Sequence, residues 1–367
     1  MSKRTLDAFF TSSPKRTRRG RNSADQDHVS HHLGSSKNED HKKISNSEPS
    51  PGELNLMICK HGASQHAAYP HPITNLPPSL SRELSSLPAR PGRHINDQPD
   101  LDLLYFEPYI PSYMAKDMFE FLRAELPFYR VEYDIKRGGI QTHIKTPRWT
   151  TVFGLDDTSC FRDGIVTDKA STMTARDRRY ERYPPRPMPK CLDDLRASTE
   201  AATGCVFNFC LVNYYASGAD SISFHSDDER FLGLDPAIAS FSLGARRDFL
   251  LKHKPIPGTA SAGGGGGGGG GKEQAGKEGK TLKLPLASGD MVLMRGKTQS
   301  KWLHSIPKRT GKNQDDGGRI NITFRRAMVK DGTENYYNYN VGNGPVHRWD
   351  KQSREMALWN KTLQEGE

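Results

Sequence analysis

From Val206 to Ala327 the chain repeats one pattern. Short runs rich in β-branched and aromatic residues alternate with breakers. The runs are "VFNFCLVNYY", "ASFSL", "RDFLLKH", "TLKLPL", "DMVLM", "KWLHSI" and "RINITFRRA", and Gly, Pro, Asp or Asn separate many of them. Such residues suit a pleated, half-buried surface, and the breakers suit turns between paired strands. Many short strands leave many edges, which a sandwich or a closed double sheet removes or protects. The preceding segments differ. "LDLLYFEPYI" reads as a strand. "PSYMAKDMFEFLRAEL" carries apolar residues at helical spacing, with Ser112 as its predicted cap. "MPKCLDDLRASTEAATG" reads as a second helix that stops at Gly204. The predicted fold is mainly β with flanking helices: a β-sandwich or jelly roll with helices on one face.

Composition separates this domain from its surroundings. Of 367 residues only 34% are hydrophobic, so part of the chain has too little apolar surface to pack. Residues 1–99, rich in Ser, Pro, His, Lys and Arg without sustained periodicity, are expected to form a disordered N-terminal tail. The domain is placed at 100–330 and a C-terminal extension at 331–367. The extension carries the aromatic cluster "NYYNYNVGNGPVHRWD", which either packs on the domain or touches a partner. A Gly-rich stretch, 258–280, reads as a flexible surface insertion between two strands. Its "GKEGKT" end lacks the P-loop spacing, because Gln274 stands where a glycine is required. No apolar run is long enough to span a membrane, and no signal-peptide core opens the chain. The five cysteines, Cys59, Cys160, Cys191, Cys205 and Cys210, form no CxxC pair, which points to free thiols rather than a disulfide framework or a cysteine zinc site. A net charge of +10 favours polyanionic partners, nucleic acid above all.

Two pieces of the tail carry signals of their own. "PKRTRRGR", Pro14 to Arg21, is either a nuclear import signal or a DNA-gripping arm. In "KRTLDAFF", Leu6, Phe9 and Phe10 would line one side of a helical turn, the way a short peptide docks into an apolar groove. The segment resembles the clamp-binding box of replication and repair proteins, with Lys3 where that box has glutamine, so a sliding clamp is an expected partner.

The chemistry concentrates in "SISFHSDDERF". On a strand, residues i and i+2 point the same way, so His225 and Asp227 are placed to share one ion. His304, in "KWLHSIPKR", is the candidate third ligand. Two histidines and a carboxylate leave half an octahedron open, as in non-haem Fe(II) oxygenases; a tetrahedral zinc hydrolase site can use the same residues. Arg319 and Arg325 lie six apart in "RINITFRR", on one face of a predicted strand. Each can grip a carboxylate through two parallel hydrogen bonds, so the pair suits a dicarboxylate.

The ordered set "NYY…HSDDE…RDFLLKHK…WLHSIP…RINITFR" resembles the AlkB family of Fe(II)- and 2-oxoglutarate-dependent dealkylases, most nearly its nuclear DNA-repair branch in a fungal-like form with extended tails. The resemblance spans roughly Leu103 to Arg326. It implies a double-stranded β-helix, a jelly-roll variant. It implies that His225, Asp227 and His304 ligate iron, and that Asn213, Tyr215, Arg319 and Arg325 bind 2-oxoglutarate, Arg319 at the distal carboxylate. Asp228 would face a flipped base with Glu229 behind it, unless the two acids pair with Arg230 or Arg246. Tyr180 and Tyr183 are candidates to stack on that base. "RGGIQTHIKTPRWTTVFG" corresponds to the hairpin that pushes a damaged base from the duplex, with Ile140 as the wedge. Lys136, Arg137, Lys145 and Arg148 would meet phosphates. The implied reaction uses O₂ to demethylate 1-methyladenine and 3-methylcytosine in DNA, releasing formaldehyde. The expected protein is a nuclear monomer with no membrane partner. RNA or protein demethylation by the same class of enzyme, or nucleic-acid binding without turnover, are the alternatives.

Overall fold

In the computed structural model the described residues are 59–60, 62–137, 139–170, 180, 184–255, 281–310, 317–329, 341–342 and 344–359. All fall within the compact unit Ile58–Glu367. Its helices are α1 (Pro78–Leu84), α2 (Ser112–Glu125), α3 (Lys190–Thr203) and the single turn α4 (Thr298–Lys301). Its strands are β1 (Cys59–Lys60), β2 (Ala63–Ser64), β3 (Ile73–Thr74), β4 (Arg93–Ile95), β5 (Leu103–Phe106), β6 (Glu132–Arg137), β7 (Ile140–Lys145), β8 (Trp149–Gly154), β9 (Ser159–Arg162), β10 (Ile165–Asp168), β11 (Phe209–Tyr215), β12 (Ile222–His225), β13 (Ile238–Gly244), β14 (Arg247–His253), β15 (Leu282–Leu286), β16 (Met291–Met294), β17 (Trp302–Ile306), β18 (Arg319–Arg325), β19 (His347–Asp350) and β20 (Glu355–Leu358).

Two antiparallel sheets carry the site. The major sheet runs β4-β5-β16-β13-β18-β11-β8, and the minor sheet β12-β17-β14-β15. Period-two alternation decides what each strand contributes. On β18, Ile320, Ile322 and Phe324 enter an apolar core shared with Met114, Met118 and Leu122 of α2 and with Leu192 and Leu195 of α3. Helices therefore cover one face of the major sheet. The opposite face meets the minor sheet: Val152, Leu211 and Val292 share a second core with Phe249, Leu251, Leu284 and Trp302. The result is the expected jelly roll of the double-stranded β-helix type.

Both long helices match their predicted spans. Ser112 is not the cap of α2; Pro111 holds that position, without a side-chain cap bond, and Ser112 is the first helical residue. Helix α3 ends where Gly204 takes φ 69°, a left-handed stop that glycine adopts without a Cβ penalty.

The N-terminal boundary needs correction. Residues 62–99, expected to be disordered, belong to the domain. Tyr69, Ile73, Leu76, Leu80 and Leu84 are buried in the helix-side core, and β4 forms an edge of the major sheet. Elements of two to seven residues are too short to show a period, so the sequence pattern missed them. The extension also packs. Strands β19 and β20 pair, His347 bridges to Phe128, and the Arg123 guanidinium lies 3.9 Å from the Trp349 ring centroid.

Strands β14 and β15 pair directly, Leu251 opposite Leu282. The Gly-rich insertion joins their ends and lies outside the described residues. So do Leu6, Phe9, Phe10, the basic cluster at Pro14–Arg21 and Tyr183. Among the described residues no helix is long and apolar enough to cross a membrane, and Cys160, Cys191, Cys205 and Cys210 are free thiols.

Candidate metal centre and its pocket

Pairing of β12 with β17 sets His225 directly opposite His304, their ring centroids 4.2 Å apart. The register of β12 is irregular between Ile222 and His225. The strand stops at His225. Asp227 is therefore not its strand neighbour, as the i, i+2 reading assumed; it lies in the loop that follows. It still meets both histidines. Asp227 Oδ1 is 3.8 Å from His225 Nε2, and its Oδ2 is 3.7 Å from His304 Nε2. One ligand atom from each residue falls within 4.8 Å of the others.

The donor chemistry fits a divalent ion. His225 Nδ1 donates to the Ser223 carbonyl at 2.8 Å, which orients the ring with Nε2 toward Asp227. Burial, then the neighbouring His225, pushes the pKa of His304 down to about 3, which keeps that imidazole neutral and able to ligate. Burial opposes ionisation of Asp227, but the Arg325 guanidinium beside it outweighs that and holds the carboxyl below its ordinary value. Bonds of about 2.1 Å put neighbouring ligand atoms about 3 Å apart on one ion, so a small inward shift closes the set.

Arg325 joins this centre to a buried polar face of the major sheet. Its Nη2 is 3.0 Å from Asp227 Oδ1 and its Nη1 is 3.4 Å from Glu229 Oε1. Along β18 the alternation that sends isoleucines to the helices sends Arg319, Asn321, Thr323 and Arg325 to the opposite face, all buried. Neighbouring strands extend this polar face. Tyr215 pairs in register with Arg319, and Asn213 with Asn321 on one side and Thr150 on the other. Thr150 Oγ1 donates to Asn213 Oδ1 at 2.9 Å, and Arg319 Nη2 donates to Ser242 Oγ at 2.8 Å. The Tyr215 ring lies 5.4 Å from the Arg319 guanidinium and 5.8 Å from that of Arg247. The two arginines of β18 are about 20 Å apart along the strand, and side chains reaching inward from both ends suit a short dianion.

The acids after Asp227 divide differently from expectation. Asp228 is partly exposed and pairs with Lys254 at 2.9 Å, not with Arg230 or Arg246. Glu229 does not back Asp228; it turns to Arg325, and burial pushes its pKa up to about 7. Tyr180 is buried and donates its hydroxyl to Asp156, so its ring is not an open stacking face. Hairpin β6–β7 forms as expected, with Ile140 71% exposed at its tip. Lys145 pairs with Glu132 at 3.0 Å, which lowers the hairpin's effective positive charge. Sequence reasoning missed Gln299, Ser242, Arg247 and Lys254. None belongs to a metal-ligand or dicarboxylate pattern, and each acts through a contact far away in sequence.

The 2OG-Fe(II) oxygenase superfamily model matches residues 102–325. The chain belongs to that superfamily: it is an Fe(II)- and 2-oxoglutarate-dependent dioxygenase. Within the superfamily its relatives are AlkB-type enzymes. It is 30% identical over 230 residues to "DNA oxidative demethylase ALKBH2" of Arabidopsis thaliana, covering 62% of this chain and 67% of that protein. It is 34% identical to the Homo sapiens protein of the same name, over 40% of this chain and 49% of that one. It is 36% identical to "Alpha-ketoglutarate-dependent dioxygenase alkB homolog 3" of Rattus norvegicus, over 40% and 45% respectively. The chain thus spans about two thirds of the plant relative and about half of the mammalian ones.

Proposed function

We propose that the chain repairs DNA by oxidative removal of N-linked methyl groups from bases, 1-methyladenine and 3-methylcytosine in particular, with formaldehyde as the released product. The observation that carries this reading is the clustered His225, Asp227 and His304 set joined through Arg325 to a buried polar face of the major sheet, in a chain whose relatives are named DNA oxidative demethylases. In this reading His225 Nε2, His304 Nε2 and the Asp227 carboxylate hold Fe(II). Iron held there would supply the oxygen chemistry, with 2-oxoglutarate and O₂ as co-substrates, succinate and CO₂ as co-products and the N-methyl carbon as the position hydroxylated.

The chain's own residues do the rest. Arg319 would grip one carboxylate of 2-oxoglutarate and Arg325 the other, with Asn213 and Tyr215 on the neighbouring strand beside them. Arg325 also neutralises Asp227 and so balances charge at the centre. Asp228 becomes an acceptor for the target base once it exchanges its contact with Lys254. Ile140, on an exposed turn between two strands, wedges into the stack as the base leaves it. Lys136 and Arg148 meet phosphates. The net positive charge, the basic cluster at Pro14–Arg21 and the Leu6, Phe9, Phe10 segment support a nuclear monomer that visits a sliding clamp.

The test is formaldehyde release from oligonucleotides carrying one 1-methyladenine, duplex and single-stranded, with Fe(II), 2-oxoglutarate and ascorbate. Release from the duplex, weakened by Ile140→Ala, is expected. Release from single strands alone removes the wedge role. Turnover of methylated RNA or peptide and not of DNA overturns the substrate assignment.

A further inference from the structure

The short turn α4 ends one residue before β17, the strand that presents His304. Hydrogen bonds, direct or through Lys254, tie this turn and Lys297 beside it to the loop that follows β12. Asp227 N–H donates to Gln299 Oε1 at 3.0 Å. Lys254 Nζ donates both to the Gln299 carbonyl at 3.0 Å and to Asp228 Oδ2 at 2.9 Å. Lys297 Nζ donates to Asp235 Oδ2 at 2.7 Å, and Ser300 Oγ to Asp235 Oδ1 at 3.4 Å. The first of these reaches the backbone of a ligand residue. It also forms where strand geometry ends, since β12 stops at His225 and no ladder bond orders Asp227.

Gln299 is well set for this task. It is 1% exposed, so its amide competes with no bulk water. Its Nε2 lies 3.2 Å from Met294 Sδ, which leaves the oxygen as the end that faces Asp227. A buried N–H without an acceptor is costly, so the loop conformation that satisfies this one is favoured over those that do not.

We propose that Gln299 is the positioning residue of the metal centre: its side-chain oxygen fixes the Asp227 backbone and couples the loop-borne carboxylate to the strand that carries His304. This rests on the assignment of His225, Asp227 and His304 as the metal ligands. Gln299 touches neither metal nor substrate; it acts through Asp227. Without it the carboxylate samples rotations that miss the ion, and the loss appears as weaker metal binding.

The experiment is titration of metal-free full-length protein with Co(II), followed by visible absorption, with thermal melts alongside. Gln299→Met keeps the volume and removes the acceptor; Gln299→Glu keeps the acceptor. His225→Ala is the control for the site itself. Supporting partners of ligands are worth about 10- to 100-fold in affinity, so Gln299→Met weakens Co(II) binding by about that factor while Gln299→Glu stays near or above wild type. Wild-type affinity in Gln299→Met overturns the proposal, with the metal centre intact. Equal losses in both variants, tracking equal losses in melting temperature, also overturn it by reducing Gln299 to a packing residue. Co(II) binding unchanged in His225→Ala overturns the ligand assignment, and the proposal with it.

Discussion

His304 shows how one environment settles both a protonation state and a role. Its unperturbed pKa is 6.5, and burial beside His225 lowers it to about 3. Between those values the unfolded chain binds a proton that the folded, metal-free chain refuses. Stability from this group is therefore complete above about pH 6.5 and is lost as pH falls toward 3. The urea midpoint of the metal-free protein should decline through that window, and His304→Gln should remove about one proton from the slope. Equal slopes in the two proteins would count against a neutral buried His304. At this scale the sequence was most informative. His225, Asp227 and His304 stood out as candidate ligands by residue type, and Arg319 and Arg325 by their spacing along one strand, and the structure brings the first three together with Arg325. Gln299 was not, because its contact with Asp227 is a side-chain-to-backbone bond across 72 positions, and no residue-type pattern encodes that. Asp227 itself was found for a partly mistaken reason, since its direction comes from a loop rather than from a strand.

Among elements, periodicity and stop signals explain what could be foreseen. Helices α2 and α3 present apolar residues at helical spacing, and Gly204 ends α3 in a left-handed conformation. A Cβ at Gly204 meets nothing within 4 Å, so a substitution there probes backbone strain alone. Gly204→Ala should cost about 1–2 kcal/mol, read from the denaturant midpoint, with turnover unchanged in the folded enzyme. No loss of stability would contradict the capping role. Elements α1 and β1 to β4 escaped the sequence reading because each is too short to display a period. They are held by a few buried side chains, such as Tyr69 and Leu84, rather than by an amphipathic pattern.

For the whole molecule, the two-sheet architecture decides which segments matter to the site. The candidate ligands sit on β12, β17 and the loop after β12, whereas β15 is the far edge of the same sheet. Leu251 pairs with Leu282, so β14 and β15 are joined by their own ladder at that edge. Replacing 258–280 by a short Gly-Ser turn should leave metal affinity and turnover within about twofold of wild type. A tenfold loss of either would mean that the insertion reaches the site. Composition had marked this stretch as an insertion, but it had also extended the tail to residue 99, because low hydrophobic content averages over the few buried residues that anchor 62–99.

In the proposed reaction a single metal centre couples 2-oxoglutarate turnover to base demethylation. The most direct measurement is mass-spectrometric counting of succinate formed and 1-methyladenine lost in the same reaction, for wild type and Asp227→Ala. One succinate for each methyl removed in wild type, and neither product above background in Asp227→Ala, is the predicted result. Demethylation that persists in Asp227→Ala, or that proceeds without succinate, would contradict it.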